Sequence, residues 1–311
     1  VNETIRDRFR GCLIGLACGD AVGATVEFKS REHCRENPVT DMVGGGYWRL
    51  KPGQWTDDTS MAFAMGASIV RRGGFDPRDV MSAWIDWRQG REWGPSDGRG
   101  CFDIGGTTAA ALARFANTGD PFAGSAAPHT AANGCLMRLA PVPLYALNMD
   151  RETRYNLAVD SARMTHAEPR CLDATVYLAE TIRRLILFTP GAPFSWGFGC
   201  ATPQLREMLE REAWGDRDDG RIDSGGYVLD TLEAAMWAMH EARDFRSAIL
   251  RAVNLGGDAD TTGAVAGQLA GAWWGYEGIP QEWRAKLDRH DELLAVADGM
   301  FDLAAKVATA A

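Results

Sequence analysis

Two short stretches, far apart in the chain, concentrate oxygen donors. Thr56-Asp57-Asp58-Thr59 opens an apolar helix beginning near Met61, and Gly256-Gly257-Asp258-Ala259-Asp260-Thr261-Thr262-Gly263 opens a helix of small apolar residues. Each is delivered by a glycine-bearing loop, with Gly53 before the first and Gly256 and Gly257 before the second. Taken singly, either stretch reads as a helix cap. Asp and Thr oxygens accept the free N–H groups of a first turn, and the helix dipole favours a carboxylate there. Together they hold more carboxylates than two caps use. Packed near each other, Asp57, Asp58, Asp258 and Asp260 would repel and raise one another's pKa unless cations neutralised them. Hard oxygen donors without paired Cys or His suit Mg²⁺ or Mn²⁺ and argue against zinc. A two-metal site is the simplest arrangement that reconciles the charges.

The commoner readings of such residues fail on spacing. Asp258-x-Asp260-x-x-Gly263 starts like an EF-hand loop, but its twelfth position is Leu269, where a bidentate Glu is required. An Asp-Asp-x-x-Asp diphosphate motif would need Asp where Met61 stands. No Gly-Lys dipeptide, Gly-x-Gly-x-x-Gly or His-Glu-x-x-His occurs.

The elements that must position these groups are helical. Apolar residues recur at three- and four-residue spacing near 6–24, 59–72, 77–90, 105–118, 134–147, 151–165, 170–188, 203–213, 226–242, 245–253, 261–275 and 291–308. Convincing period-2 runs are absent, which argues against a sheet-based fold. No linker or internal repeat divides the 311 residues, so one helical domain over 1–311 is expected. Its 46% apolar content suffices for a large core, and its 35 glycines let helices pack closely. Segment 189–225 reads as a surface insertion with one short helix. It carries Pro190, Pro193, Trp196, Pro203 and the charged run Asp216-Arg217-Asp218-Asp219.

A net charge of −9 without any Lys/Arg run argues against nucleic acid as a partner. Seven scattered cysteines, none in a Cys-x-x-Cys pair, read as reduced thiols of a cytoplasmic protein. Cys101, Cys135 and Cys171 are assigned to packing. The first apolar stretch is interrupted by Asp20, so no membrane segment is expected.

In the order of its blocks the sequence resembles the ADP-ribosylglycohydrolase family, and within it the glycohydrolases that activate dinitrogenase reductase. The blocks run from Gly15-Leu16-Ala17-Cys18-Gly19-Asp20-Ala21-Val22-Gly23 and Glu27-Phe28 to Gly44-Gly45-Gly46 and Leu50 through Thr59. Asp103-Ile104-Gly105, Asn133-Gly134, Met137-Arg138, Thr165-His166, Tyr227 through Thr231 and Asn254 through Gly263 follow. The resemblance implies a compact orthogonal all-helical domain around two Mg²⁺ or Mn²⁺ ions, held by Thr56, Asp57, Asp58, Asp258, Asp260 and Thr261. It implies catalytic roles for Glu27, Asp58 and Asp103, the last near the scissile bond in arginine-directed members. Gly105, Asn133, Gly134 and His166 match positions lining the ADP-ribose cleft, and Tyr227 matches an aromatic that stacks on adenine. Segment 189–225 departs from the family by its length. The implied partner is an ADP-ribosylated protein, nitrogenase reductase or a toxin's target, acted on by a monomer.

These residue types suit the implied chemistry. Cleaving an N-glycoside develops positive charge on the ribose, which carboxylates stabilise. A carboxylate such as Asp103 would orient the departing guanidine or manage its proton. Gly44 to Gly46 or Gly105-Gly106 would let backbone N–H groups approach the pyrophosphate. Plainer readings stand beside these: Glu27 as an ordinary helix-end residue, His166 as structural, Tyr227 as core, Arg138 as an ion-pair or phosphate residue. The Trp273-Trp274 pair reads as core or interface. Hydrolysis of O-linked serine ADP-ribose or O-acetyl-ADP-ribose, or ADP-ribose binding without turnover, remain the alternatives.

Overall fold

The computed structural model describes residues 3–188, 202–210 and 219–310. Its helices in chain order are α1 (Glu3–Gly23), α2 (Arg31–Glu36), α3 (Asp57–Arg72), α4 (Pro77–Arg88), α5 (Gly106–Thr118), α6 (Pro141–Tyr145) and α7 (Arg151–Arg163). They continue as α8 (Pro169–Leu187), α9 (Pro203–Glu210), α10 (Val228–His240), α11 (Phe245–Val253), α12 (Ala259–Trp274), α13 (Gln281–Lys286) and α14 (His290–Ala310). Among the described residues only isolated bridges occur in place of strands. The expected all-α class is what the chain adopts.

Two helices form the axis of the fold. From Gly11 to Gly23 every residue of α1 is buried, and so is every residue of α12 from Ala259 to Ala272. A helix apolar all round belongs in the interior. The two run antiparallel in close contact because glycine recurs every fourth residue on each facing stripe. Gly11 meets the Gly271 carbonyl, Gly15 that of Gly267, and Gly19 that of Gly263. A Cβ on Gly19 would stand 1.9 Å from the Gly263 oxygen, a distance no side chain tolerates. This pairing has one consequence for chemistry. It puts the C-terminal end of α1, with Asp20, beside the N-terminal end of α12, with Asp258 and Asp260.

The remaining helices enclose that pair, with α8, α10 and α11 against α12 and α14 against both α1 and α3. Local signals set their ends. Asp76 caps α4 with Pro77 in its first turn, Asp150 caps α7, and Asp244 and Ser247 form a capping box on α11. Gly73, at φ 68°, closes α3.

The helix expected over 134–147 is instead a 3₁₀ turn, Asn133–Cys135, followed by the short α6. Pro141 and Pro143 lack the N–H groups an uninterrupted helix needs, so it restarts at Pro141. The six-residue helices α2 and α13 are too short for periodicity to reveal. Of the expected insertion, 189–201 and 211–218 lie outside the described residues. Within the remainder are α9 and a 3₁₀ turn at Asp219–Arg221. Trp273 and Trp274 pack partly buried against the core. No described helix is long and apolar enough to cross a membrane.

Candidate active site

Three helix ends converge here: the C-terminal end of α1 and the N-terminal ends of α3 and α12. Asp20, fully buried, holds them in register. Its carboxylate accepts the backbone N–H of Thr56 at 2.9 Å and that of Thr59 at 3.0 Å. The Thr59 hydroxyl donates to it at 2.6 Å. Asp20 thereby caps α3 from another helix. Thr56 and Asp258 occupy the N-cap positions of α3 and α12, yet neither side chain makes a capping bond. The capping reading of both stretches therefore fails on geometry. Their oxygens are left for something else.

The two stretches meet directly. The Thr56 hydroxyl donates to Asp260 Oδ2 at 3.3 Å, and the Thr261 hydroxyl to Asp58 Oδ1 at 3.4 Å. Asn133 Nδ2 donates to Asp258 Oδ2 at 2.8 Å and to the Thr231 hydroxyl at 2.9 Å. Carboxylate oxygens of Glu27, Asp103 and Asp260 lie within 4.8 Å of one another, a grouping able to hold a metal ion. Asp58 Oδ2 and Asp260 Oδ1 are buried with no hydrogen-bond partner. An orphaned buried carboxylate oxygen is costly unless a cation completes it. The donor set is all oxygen, so a hard divalent ion fits.

Electrostatics agree with the geometry. Burial first, and then neighbouring carboxylates, lift Asp57, Asp58 and Asp260 well above the usual carboxylate range; the leading neighbours are Asp103, Asp20 and Asp58 respectively. Burial and the charge of Asp103 push Glu27 up to about 9, against the lowering bond from Trp48. Burial, and the charges of Asp20 and Asp258, push Asp103 up to about 7. Divalent cations would offset the repulsion between these carboxylates and favour their charged forms against the effect of burial.

A cavity of about 780 Å³ opens above this cluster. It is lined by Glu27, Asp57, Asp58, Asp103, Gly105, Asn133, Gly134, His166, Asp258, Asp260 and Thr261 among the residues singled out from sequence. Thr56 lies just behind them, fully buried. Gly105 is the N-cap of α5, and Gly106 and Thr107 beside it also line the cavity. Asp103 is held at φ 56°, in the left-handed region that non-glycine residues rarely adopt.

Other expected residues are elsewhere. Gly44, Gly45 and Gly46 do not line the cavity. Gly45 exchanges backbone bonds with Leu50, and Gly46 sits so close to Ala24 that a Cβ would meet its carbonyl oxygen at 2.0 Å. The glycines make a tight turn that presents Tyr47 and Trp48 to the cavity. Tyr227 does not line it either: its hydroxyl accepts from Arg170 Nη1 at 3.2 Å, and the Arg170 guanidinium lies 5.4 Å from its ring centre. Arg138 is neither exposed to the cavity nor ion-paired among the described residues. It is 1% exposed, stacks on Trp84 at 4.1 Å and donates to Thr165 Oγ1 at 2.5 Å.

The sequence reading gave no role to Asp20, Phe28, Tyr47 or Trp48. An aspartate inside an otherwise apolar helix was the available signal for Asp20. Trp48 Nε1 donates to Glu27 Oε2 at 2.7 Å, a contact between two loops that no local pattern announces.

Residues 1–310 match the family model described as ADP-ribosylglycohydrolase. The chain is 37% identical over 299 residues to the ADP-ribosylarginine hydrolase Tri1 of Serratia proteamaculans, covering 96% of this chain and 80% of that one. It is 34% identical over 294 residues to the ADP-ribosyl-[dinitrogen reductase] glycohydrolase of Rhodospirillum rubrum, covering 92% of each. Among solved structures, a chain described as an ADP-ribosylglycohydrolase-related protein complex superposes with a TM-score of 0.79 at 38% identity. The match covers 97% of this chain and 100% of that one.

Proposed function

Because the chain belongs to the ADP-ribosylglycohydrolase family, we propose that it removes ADP-ribose from modified arginine side chains of proteins, using two Mg²⁺ or Mn²⁺ ions. The observation that carries the metal part is the pair of orphaned oxygens, Asp58 Oδ2 and Asp260 Oδ1, within two cross-bonded clusters. The arginine part rests on the relatives, two of which are named as ADP-ribosylarginine hydrolases. We infer that residues 1–311 act as one domain and that the protein is cytoplasmic, a reading supported by the free cysteines among the described residues.

Thr56, Asp57, Asp58, Asp258, Asp260 and Thr261 would hold the ions, with Asn133 fixing the Asp258 carboxylate. When bound, the ions supply positive charge that offsets the clustered carboxylates and lowers the pKa of the hydrolytic water. Glu27 is held in place by Trp48 and stabilises the positive charge that develops on the ribose as its C1–N bond breaks. Asp103 serves the departing guanidine, a role consistent with its place beside Glu27. The N-terminal turn of α5, open through Gly105 and Gly106, offers backbone N–H groups to the pyrophosphate. Nitrogenase reductase and toxin targets both fit as the modified protein, since the chemistry requires only an accessible ADP-ribosyl-arginine.

The test offers purified protein with Mn²⁺ both arginine-linked and serine-linked ADP-ribosylated proteins and measures released ADP-ribose. Release from the arginine linkage, abolished by EDTA and restored by Mn²⁺, is expected. Release undiminished by chelation would contradict the metal assignment, and release from serine alone would contradict the linkage.

A further inference from the structure

Three aromatic side chains, Phe28, Tyr47 and Trp48, line the cavity together with the carboxylates Glu27 and Asp103. Phe28 directly follows Glu27 and is held at φ 64°, with its N–H donating to Gly257 O at 2.8 Å. A bulky residue in the left-handed region is strained, and such strain marks positions where orientation matters. The orientation gained here is outward: the ring is 60% exposed. It meets Tyr47 edge to face at 5.3 Å, and Tyr47, 66% exposed, meets Trp48 at 4.8 Å. Trp48 in turn contacts Phe102 at 5.4 Å, and its carbonyl accepts from Arg99 at 2.9 Å. Among the described residues, Phe28, Val43 and Tyr47 are three of the five large apolar side chains that stand exposed, and all three lie on these adjoining loops. Exposed apolar clusters of this kind mark a contact surface.

The three rings and Glu27 and Asp103 share that cavity. The ADP portion of the substrate carries an anionic pyrophosphate, which the carboxylates would repel. The arginine portion is a planar guanidinium on an apolar stem, which both carboxylates and ring faces attract. We propose that Phe28, Tyr47 and Trp48 form the leaving-group subsite, which receives the modified arginine side chain and selects it over a hydroxyl-bearing residue. This rests on the proposed arginine-directed hydrolysis. Trp48, tied to Glu27, aligns the carboxylate with the guanidinium, while Phe28 and Tyr47 clasp the arginine stem where it joins the target polypeptide.

Phe28→Ala, Tyr47→Ala and Tyr47→Phe test this with arginine-ADP-ribosylated protein as substrate and free ADP-ribose as a ligand lacking the leaving group. Each alanine variant is expected to raise KM for the protein substrate about tenfold, the scale of a lost cation–π contact. ADP-ribose affinity should hold, and Tyr47→Phe, which keeps the ring, should retain the wild-type KM. Alanine variants with wild-type KM, or variants that lose ADP-ribose affinity in parallel, would overturn this subsite alone. Wild-type protein inert toward the arginine linkage would overturn the underlying reading and the subsite with it.

Discussion

The Asp20 carboxylate accepts both the backbone N–H of Thr59, at 3.0 Å, and the Thr59 hydroxyl, at 2.6 Å, so α1 caps α3 across the core. The exchange leaves Thr56, Asp57 and Asp58 free of capping duty. Replacing Asp20 with Ala strands buried donors at Thr56 and Thr59. The expected loss is about 1–3 kcal/mol of stability by urea unfolding, with weakened Mn²⁺ binding. Asp20→Asn, which keeps an acceptor oxygen, should recover part of the stability. An alanine variant as stable as wild type would remove Asp20 from this role.

Thr165 links Arg138 to His166. A guanidinium only donates, so Thr165 Oγ1 accepts from Arg138 at 2.5 Å, which leaves its hydrogen available to His166 Nδ1 at 2.7 Å. We predict that the hydroxyl donates there and that His166 carries its proton on Nε2. Nitrogen-15 spectra of the imidazole should show the Nε2–H tautomer in wild type and a mixture in Thr165→Val. A dominant Nδ1–H form in wild type would contradict the relay.

Burial, with the Arg138 charge behind it, holds the His166 pKa down at about 3. The sign follows from linkage. Between the ordinary histidine pKa of about 6.5 and this value, the unfolded chain binds a proton that the native state refuses, so His166 costs stability as pH falls through that window. The stability of wild type relative to His166→Gln should therefore decline from pH 7 to pH 4 in urea titrations. A constant difference across that range would refute it.

The contact between α1 and α12 admits no extra atom at Gly19. Gly19→Ala should cost about 3 kcal/mol or more, since the opposing group is backbone and cannot rotate aside. Gly225, with nothing within 4 Å of its added Cβ, is the control and should tolerate Ala with little change. Thermal unfolding of both variants checks the pair, and equal melting temperatures would deny the close approach.

Much of this was legible because it is local. The carboxylates of 57–58 and 258–260 announce themselves by type and by the glycines at 53, 256 and 257, whose φ values of 89°, 72° and 68° favour glycine and whose added Cβ would meet backbone oxygens at 1.8, 2.5 and 2.4 Å. Proline and aspartate at 76–77 mark a helix start in sequence and in structure alike. Partnership across the fold was not legible. Nothing near Asp20 tells that its acceptors serve α3, and nothing near Trp48 tells that it grips Glu27. The glycines at 44–46 looked suited to a phosphate because any glycine run exposes backbone. In the folded chain the Gly45 amide is spent on Leu50, and the turn's product is the pair of rings after it. Tyr227 matched a stacking position, and the bond its hydroxyl accepts from Arg170 is a partnership that no local pattern announces.

Calorimetric titration of Mn²⁺ into the purified chain, alongside Asp58→Asn and Asp260→Asn, bears most directly on the site. Saturable binding of two ions by wild type, with at least one lost in each variant, is the expected result. A wild-type chain that takes up neither manganese nor magnesium, or variants that bind as wild type does, would contradict the assignment of these oxygens as ligands.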